Sequence, residues 1–207
     1  MEVIIGSIIG ACSVILTTII SIKANKKVKK LQNANTSSQN SKNITMIKVD
    51  DFYSELNKSM KKAEFEFIFI AGSMKRLIAS YELIKKLSNE KNIQFKFLAL
   101  NIEKNEIKNA FKKMGKLGTS PALNLNHLRE LAKVKNIEIR IYDYLPTAYF
   151  FAIDLEKKEK GSIRLINFLH AKEECDYPHI EICYNNEWYE FYKQYILSLW
   201  NDSIPLQ

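Results

Sequence analysis

The hydrophobic pattern divides the chain into three stretches. Residues 3–22, "VIIGSIIGACSVILTTIISI", hold no charged side chain. A helix of this length, at 1.5 Å per residue, spans roughly 30 Å, the thickness of a bilayer's hydrocarbon core. Residues 31–46, "LQNANTSSQNSKNITM", are polar without an apolar period and read as a flexible tether. From residue 47 to the end, apolar residues recur with the periods of helices and strands in turn.

Asp50 or Asp51 is placed to cap a helix running to about Lys62, with Phe52, Leu56, Ser59 and Met60 on one face. "EFEFIFIAG" (64–72) alternates and then becomes wholly apolar, as a buried strand does. A helix starting at Ser73 places Leu77, Ile78, Tyr81, Ile84 and Leu87 at helical spacing. "IQFKFLAL" (93–100) is a second strand, "NEIKNAFKKMGKLG" a helix, "NLNHLRELAKVKN" (124–136) another, and "IEIRIYDY" (137–144) a third strand. Strands alternating with helices argue for βαβ units around a parallel sheet. After Pro146 the rhythm changes. "AYFFAID", "SIRLINFL" and "HIEICY" are strands without long helices between them, which predicts an antiparallel half. The last helix, "EWYEFYKQYILSLW" (187–200), carries an aromatic stripe (Trp188, Phe191, Tyr192, Tyr195, Ile196, Leu199, Trp200) suited to packing on the sheet.

Charge sharpens the division. The chain carries a formal net charge of +8. Residues 1–48 hold seven lysines and one acid, whereas the remaining 159 residues hold 24 basic and 22 acidic side chains. The folded part is therefore nearly neutral, which argues against a nucleic-acid partner. Lys23, Lys26, Lys27, Lys29 and Lys30 follow the apolar run directly. That asymmetry predicts a single-pass cell-membrane helix with its N-terminus outside and its C-terminal domain in the cytoplasm. The same lysines are suited to anionic lipid head groups. Gly6 and Gly10 form a GxxxG pair that permits close helix–helix approach and a homodimer. The expected organisation is a transmembrane helix at 3–22, a basic segment and linker at 23–46, and a cytoplasmic α/β domain at 47–207.

This order of elements resembles a single phospholipase D-like domain, over about 47–200. The family's motif, His-x-Lys-x4-Asp, stands in the strand after the "IEIRIYD"-type strand. There the resemblance implies a His that attacks phosphorus and a Lys that holds phosphate oxygens, with a second His, often from a dimer mate, protonating the leaving group. In this chain the slot is "TAYFFAID". The histidine position is Thr147, the lysine position is Tyr149, and Asp154 alone matches. Thr needs an activating base to act as a nucleophile, and Tyr supplies no cation for phosphate. The expectation is a mixed sheet flanked by helices that has lost its catalysis and serves as a ligand- or partner-sensing module, in a bacterial stress or defence setting.

A second stretch, "HAKEECD", offers an enzymatic alternative through His170, Lys172 and Asp176. It would make the chain a membrane-anchored phosphodiesterase, a nuclease or phospholipase. Its spacing falls one residue short, and the charged "EECDYP" that follows is loop-like. "IAGSMKR" places Ser73, Lys75 and Arg76 after a strand, where backbone N–H groups and cations suit an anion. His170, Cys175, His179 and Cys183 are spaced more loosely than the pairs of a structural zinc site, so no metal is expected. His127 reads as a helix-surface residue. No nucleotide fingerprint or catalytic triad is present, so no cofactor is expected.

Overall fold

The computed structural model describes residues 44–72, 74–101, 103–113, 125–143, 148–157, 159–167 and 178–206. The chain divides into two units, Met1–Lys42 and Asn43–Gln207, and all described residues fall in the second. The run at 3–22, with Gly6 and Gly10, and the five lysines from Lys23 to Lys30 lie outside them. No helix among the described residues is long and apolar enough to cross a membrane.

The elements in order are β1 (Ile44–Ile47), α1 (Phe52–Lys62), β2 (Glu66–Ala71), α2 (Lys75–Ala79), α3 (Tyr81–Lys91), β3 (Gln94–Leu100), α4 (Asn105–Lys113), α5 (Leu125–Ala132), β4 (Ile137–Tyr142), β5 (Ala148–Ile153), β6 (Ser162–Asn167), β7 (His179–Cys183), α6 (Tyr189–Asn201) and β8 (Ile204–Pro205). They build one eight-stranded sheet in the order β1-β7-β6-β5-β2-β3-β4-β8. β2, β3 and β4 are mutually parallel. Every other pairing is antiparallel. The change of rhythm after Pro146 therefore marks the change from parallel to antiparallel pairing, because strands joined without long helices must return as neighbours.

Side-chain alternation sends two apolar sets to opposite faces of the sheet. One face carries Phe67, Phe69, Phe95, Phe97 and Phe151 beneath α1, α2, α3 and α5. The other carries Ile68, Ile70, Leu98, Leu100 and Phe150 beneath α4 and α6. On the first face, Phe67 stacks on Phe151 at 6.2 Å and meets Phe95 at 6.1 Å. Such pairs add about 0.5–1.5 kcal/mol each beyond the area they bury.

Local signals set the helix ends. Asp51 caps α1 by accepting from the N–H groups of Tyr53 and Ser54, both at 3.1 Å. The expected face, Phe52, Leu56, Ser59 and Met60, is the buried one. The single helix expected after Ser73 is broken at Ser80 into α2 and α3. There the Ser80 N–H returns to Leu77 O at 2.9 Å, and its hydroxyl donates to Asn57 Oδ1 at 2.8 Å. A tight turn tied to α1 interrupts the helical ladder while the apolar spacing continues across it. In the last helix, Ile196, Leu199 and Trp200 are buried as the stripe predicts, but Trp188 and Phe191 are exposed and Tyr189 takes a buried place instead. β1 begins inside the segment that reads as tether, and β8 adds two residues beside β4.

Candidate functional site

β5 lies between β2 and β6 near the centre of the sheet, and all six of its residues are buried. Tyr149, Phe151 and Ile153 face α1, while Ala148, Phe150 and Ala152 face α6. Tyr149, which the sequence resemblance sets at a lysine position, is 4 % exposed. It pairs in register with Ile166 of β6, which in turn pairs with His179 of β7. A lysine there would bring an ammonium into an apolar layer, at a cost of several kcal/mol unless paired. Thr147 lies outside the described residues.

Around this upper end of the sheet, where β2, β3 and β4 finish, the residues are aromatic and cationic. Phe52, the first residue of α1, sets its ring 5.8 Å from that of His179. The Arg76 guanidinium lies 5.7 Å from the centre of the same Phe52 ring. His179 is fully buried. Of the anion site expected at Ser73, Lys75 and Arg76, Ser73 lies outside the described residues. Lys75 is exposed and Arg76 half-buried, in a helix of only five residues. The structure thus brings Arg76 toward Phe52 and His179, a grouping that the linear pattern does not show.

One layer below, Arg164 of β6 points into the same face and is 4 % exposed. It donates to Glu55 Oε2 at 3.0 Å, approaches Glu181 Oε1 at 3.5 Å, and lies 5.0 Å from the Phe151 ring centre. The Lys58 ammonium, and then Arg164, hold the Glu55 carboxyl below its usual range against the opposing effect of its partial burial. This buried cation ties α1 to β6 and β7. Its balanced charge makes it a structural element. The sequence signal for it was available, since Arg164 sits at an inward position of "SIRLIN", but an inward charge declares itself only once partners are known.

Asp154 occupies the opposite, lower end of β5. It lies five steps along the chain from Tyr149, roughly 16 Å. It adopts a left-handed backbone conformation, φ 50°, and is 2 % exposed. Its carboxylate accepts from the N–H of Glu64 at 3.1 Å, Phe65 at 2.8 Å and Glu66 at 2.9 Å. The residue that reads as the survivor of a catalytic motif is a backbone anchor that fixes the entry of β2 against the end of β5. Close by, the Tyr189 hydroxyl donates to Leu155 O at 3.0 Å, and burial raises its pKa. A Cβ on Gly161 would stand 2.0 Å from that hydroxyl.

His170, Lys172 and Asp176 lie outside the described residues, as does Cys175. Among the described residues no group of three His, Cys, Asp or Glu side chains is placed to hold a metal ion. His127 is exposed on α5. On the α6 face, Ala148, Phe150, Leu165, Asn167, Phe191, Tyr192 and Tyr195 line a shallow groove of about 250 Å³. Its walls are the rings of Phe150, Phe191, Tyr192 and Tyr195 with Ala148 and Leu165, and Asn167 adds an amide.

No protein-family model matches the sequence, and no curated protein matches it. The fold does match solved structures. TrmBL2, described as an archaeal chromatin protein with a novel mode of DNA binding, superposes with a TM-score of 0.51 at 9 % identity over 88 % of this chain. This chain spans 65 % of the length of that protein. NucT from Helicobacter pylori superposes with a TM-score of 0.50 at 14 % identity, covering 78 % of this chain and 98 % of NucT. Nuc from Salmonella typhimurium, a phospholipase D family member, gives 0.47 at 13 % identity, covering 78 % and 95 %. The fold is phospholipase D-like: an eight-stranded mixed sheet between layers of helices.

Proposed function

We propose that this chain is a phospholipase D-like domain without catalysis, held at the inner face of a cell membrane and acting by binding a ligand or partner. The observation that supports it is the state of Tyr149. It fills the lysine slot as a buried side chain without a cation, in a layer with Phe52, Phe69 and Phe151. Phosphoryl transfer needs a cation at the phosphate oxygens and a nucleophile with a base. Asp154 offers neither, because its oxygens are engaged by three backbone N–H groups. Anchoring is carried by the bilayer-length run at 3–22, with Lys23, Lys26, Lys27, Lys29 and Lys30 at anionic head groups and dimer contact through Gly6 and Gly10. A bacterial stress or defence signalling role gives such a sensor its setting.

The test is turnover of bis(p-nitrophenyl) phosphate by the full-length chain, with and without divalent cations. Hydrolysis at the background rate supports the binding module. Hydrolysis above background that Thr147→Ala or Tyr149→Phe removes overturns it. Hydrolysis removed by His170→Ala would instead make the chain the membrane-anchored phosphodiesterase built on His170, Lys172 and Asp176. Anchoring is read separately, from recovery of the chain in the membrane fraction after alkaline carbonate extraction.

A further inference from the structure

The lower end of the sheet carries a surface that the packing of the domain does not use. Phe65, in the turn between α1 and β2, is 47 % exposed. Lys157 Nζ lies 4.6 Å from its ring centre and Lys160 Nζ 5.8 Å. Lys61 and Lys62 finish α1 just before it and are exposed. Tyr184, 40 % exposed, joins them, its N–H bonded to Gly161 O at 3.0 Å. Of the acids at this end, Glu64 is paired with Lys160 and Glu156 with Lys193, while Glu159, Glu187 and Glu190 are in no ion pair among the described residues and lie away from α1 in the sequence. Among the described residues Lys61, Lys62 and Lys157 make no ion pair.

The path of the chain leads to the same place. β1 pairs antiparallel with β7, Ile44 opposite Ile182. Ile182 lies one pair from Cys183 and Ser162, where β7 and β6 meet the lower turn. Ile44, where the tether joins the domain, therefore stands at the end that carries Phe65 and the lysines. Tyr149, His179 and Arg76 stand at the other end, where Lys104 is paired with Asp143 and Asp51 serves as a helix cap.

Exposed aromatic rings among unpaired lysines are the chemistry of a lipid interface. The ring enters the head-group region while the ammonium groups meet anionic phosphates. We infer that the lower end, Phe65 with Lys61, Lys62 and Lys157, is a second membrane contact that lies on an anionic lipid surface and turns the Tyr149 end toward the cytoplasm. This contact rests on the anchored reading above, and it adds an orientation that a flexible tether alone cannot impose.

The test incorporates the full-length chain into phosphatidylcholine nanodiscs with or without phosphatidylserine, and follows acetylation of individual lysines by mass spectrometry. Lys61, Lys62 and Lys157 should react about threefold slower in the anionic discs, with Lys86 and Lys104 unchanged. Phe65→Ser, a change at an exposed ring, should remove most of that protection. Equal rates in both lipids, or equal protection at Lys104, overturn the contact. If the chain stays out of the discs, the anchored reading fails. The contact is then read on the same full-length chain with added phosphatidylserine vesicles, where protection at the three lysines sustains it and unchanged rates overturn it. Protection by duplex DNA as strong as by vesicles overturns it in favour of a polyanion partner.

Discussion

At the upper end of β5, Tyr149 lies in an apolar layer beside Ile166, with Phe52 and His179 close at hand. At the lower end, Asp154 leaves the strand with φ 50° and gathers three backbone N–H groups. The two positions belong to one motif in the resemblance, yet they face different demands. The lower one serves the fold, because three donors at the start of a central strand need an acceptor wherever the chain goes next. The upper one would serve chemistry, and here it serves packing. A motif match at Asp154 therefore speaks for architecture and is silent on activity.

Substitutions that exchange these demands should have the largest effects. Asp154→Ala leaves three donors short of an acceptor and puts an alanine at positive φ, so a loss of about 3–5 kcal/mol is expected in urea unfolding. Asp154→Asn keeps an acceptor and tolerates the left-handed backbone, and should lose about half as much. A small effect of the alanine would break the contrast between the ends. Tyr149→Lys should cost about 3 kcal/mol or more, through an ammonium in an apolar layer, without producing phosphodiesterase activity. A stable, well-folded lysine variant would show that the upper end still has room for the family's cation.

The lower end offers a sharper steric test. Gly161→Ala drives a methyl into the Tyr189 hydroxyl and should cost about 2–3 kcal/mol, seen as a lowered thermal midpoint. Tyr189→Phe, which loses only the bond to Leu155 O, should cost about 1 kcal/mol. Tyr189 also gives the fold a pH signature. Burial raises its folded pKa above the ordinary tyrosine value of about 10, so its contribution is complete below that pH and is lost as the pH rises beyond it. Stability followed by circular dichroism should fall above that pH in the parent and fall less in Tyr189→Phe.

The smallest expected effect belongs to the acid side. Glu55 is held below its usual 4.5, so it stabilises the fold above that value and ceases to as the pH falls through its lowered pKa. Lys58→Met removes the first of the two cations behind that shift. It should move the acid-unfolding midpoint of the protein slightly upward, while Lys86→Met, on a pair exposed at both ends, should leave it in place.

Much of the fold was legible in advance because its signals are local. Alternation in "EFIFIA" and "QFKFLAL", the cap at Asp51, and the loss of helices after Pro146 each arise within a few residues. β1 and β8 escaped because four and two residues carry no period of their own, and only a neighbour makes them strands. The break at Ser80 escaped because the apolar spacing runs through it. His179 reads as a loose metal-ligand candidate in the sequence, yet the structure packs it against Phe52. That partner is more than a hundred residues away, and no local pattern connects them.

The sequence by itself determined the two apolar faces, the parallel-to-antiparallel change and the absence of a cation at position 149, since these depend on residue type and period alone. The tertiary structure decided what the remaining residues are for. Asp154 became a backbone anchor, Arg164 a buried tie between α1 and two strands, and Phe65 with its lysines an open surface at the chain's point of entry. Each of those roles depends on which donors, carboxylates and rings come within a few ångströms, and proximity across a sheet is a property of pairing rather than of order along the chain.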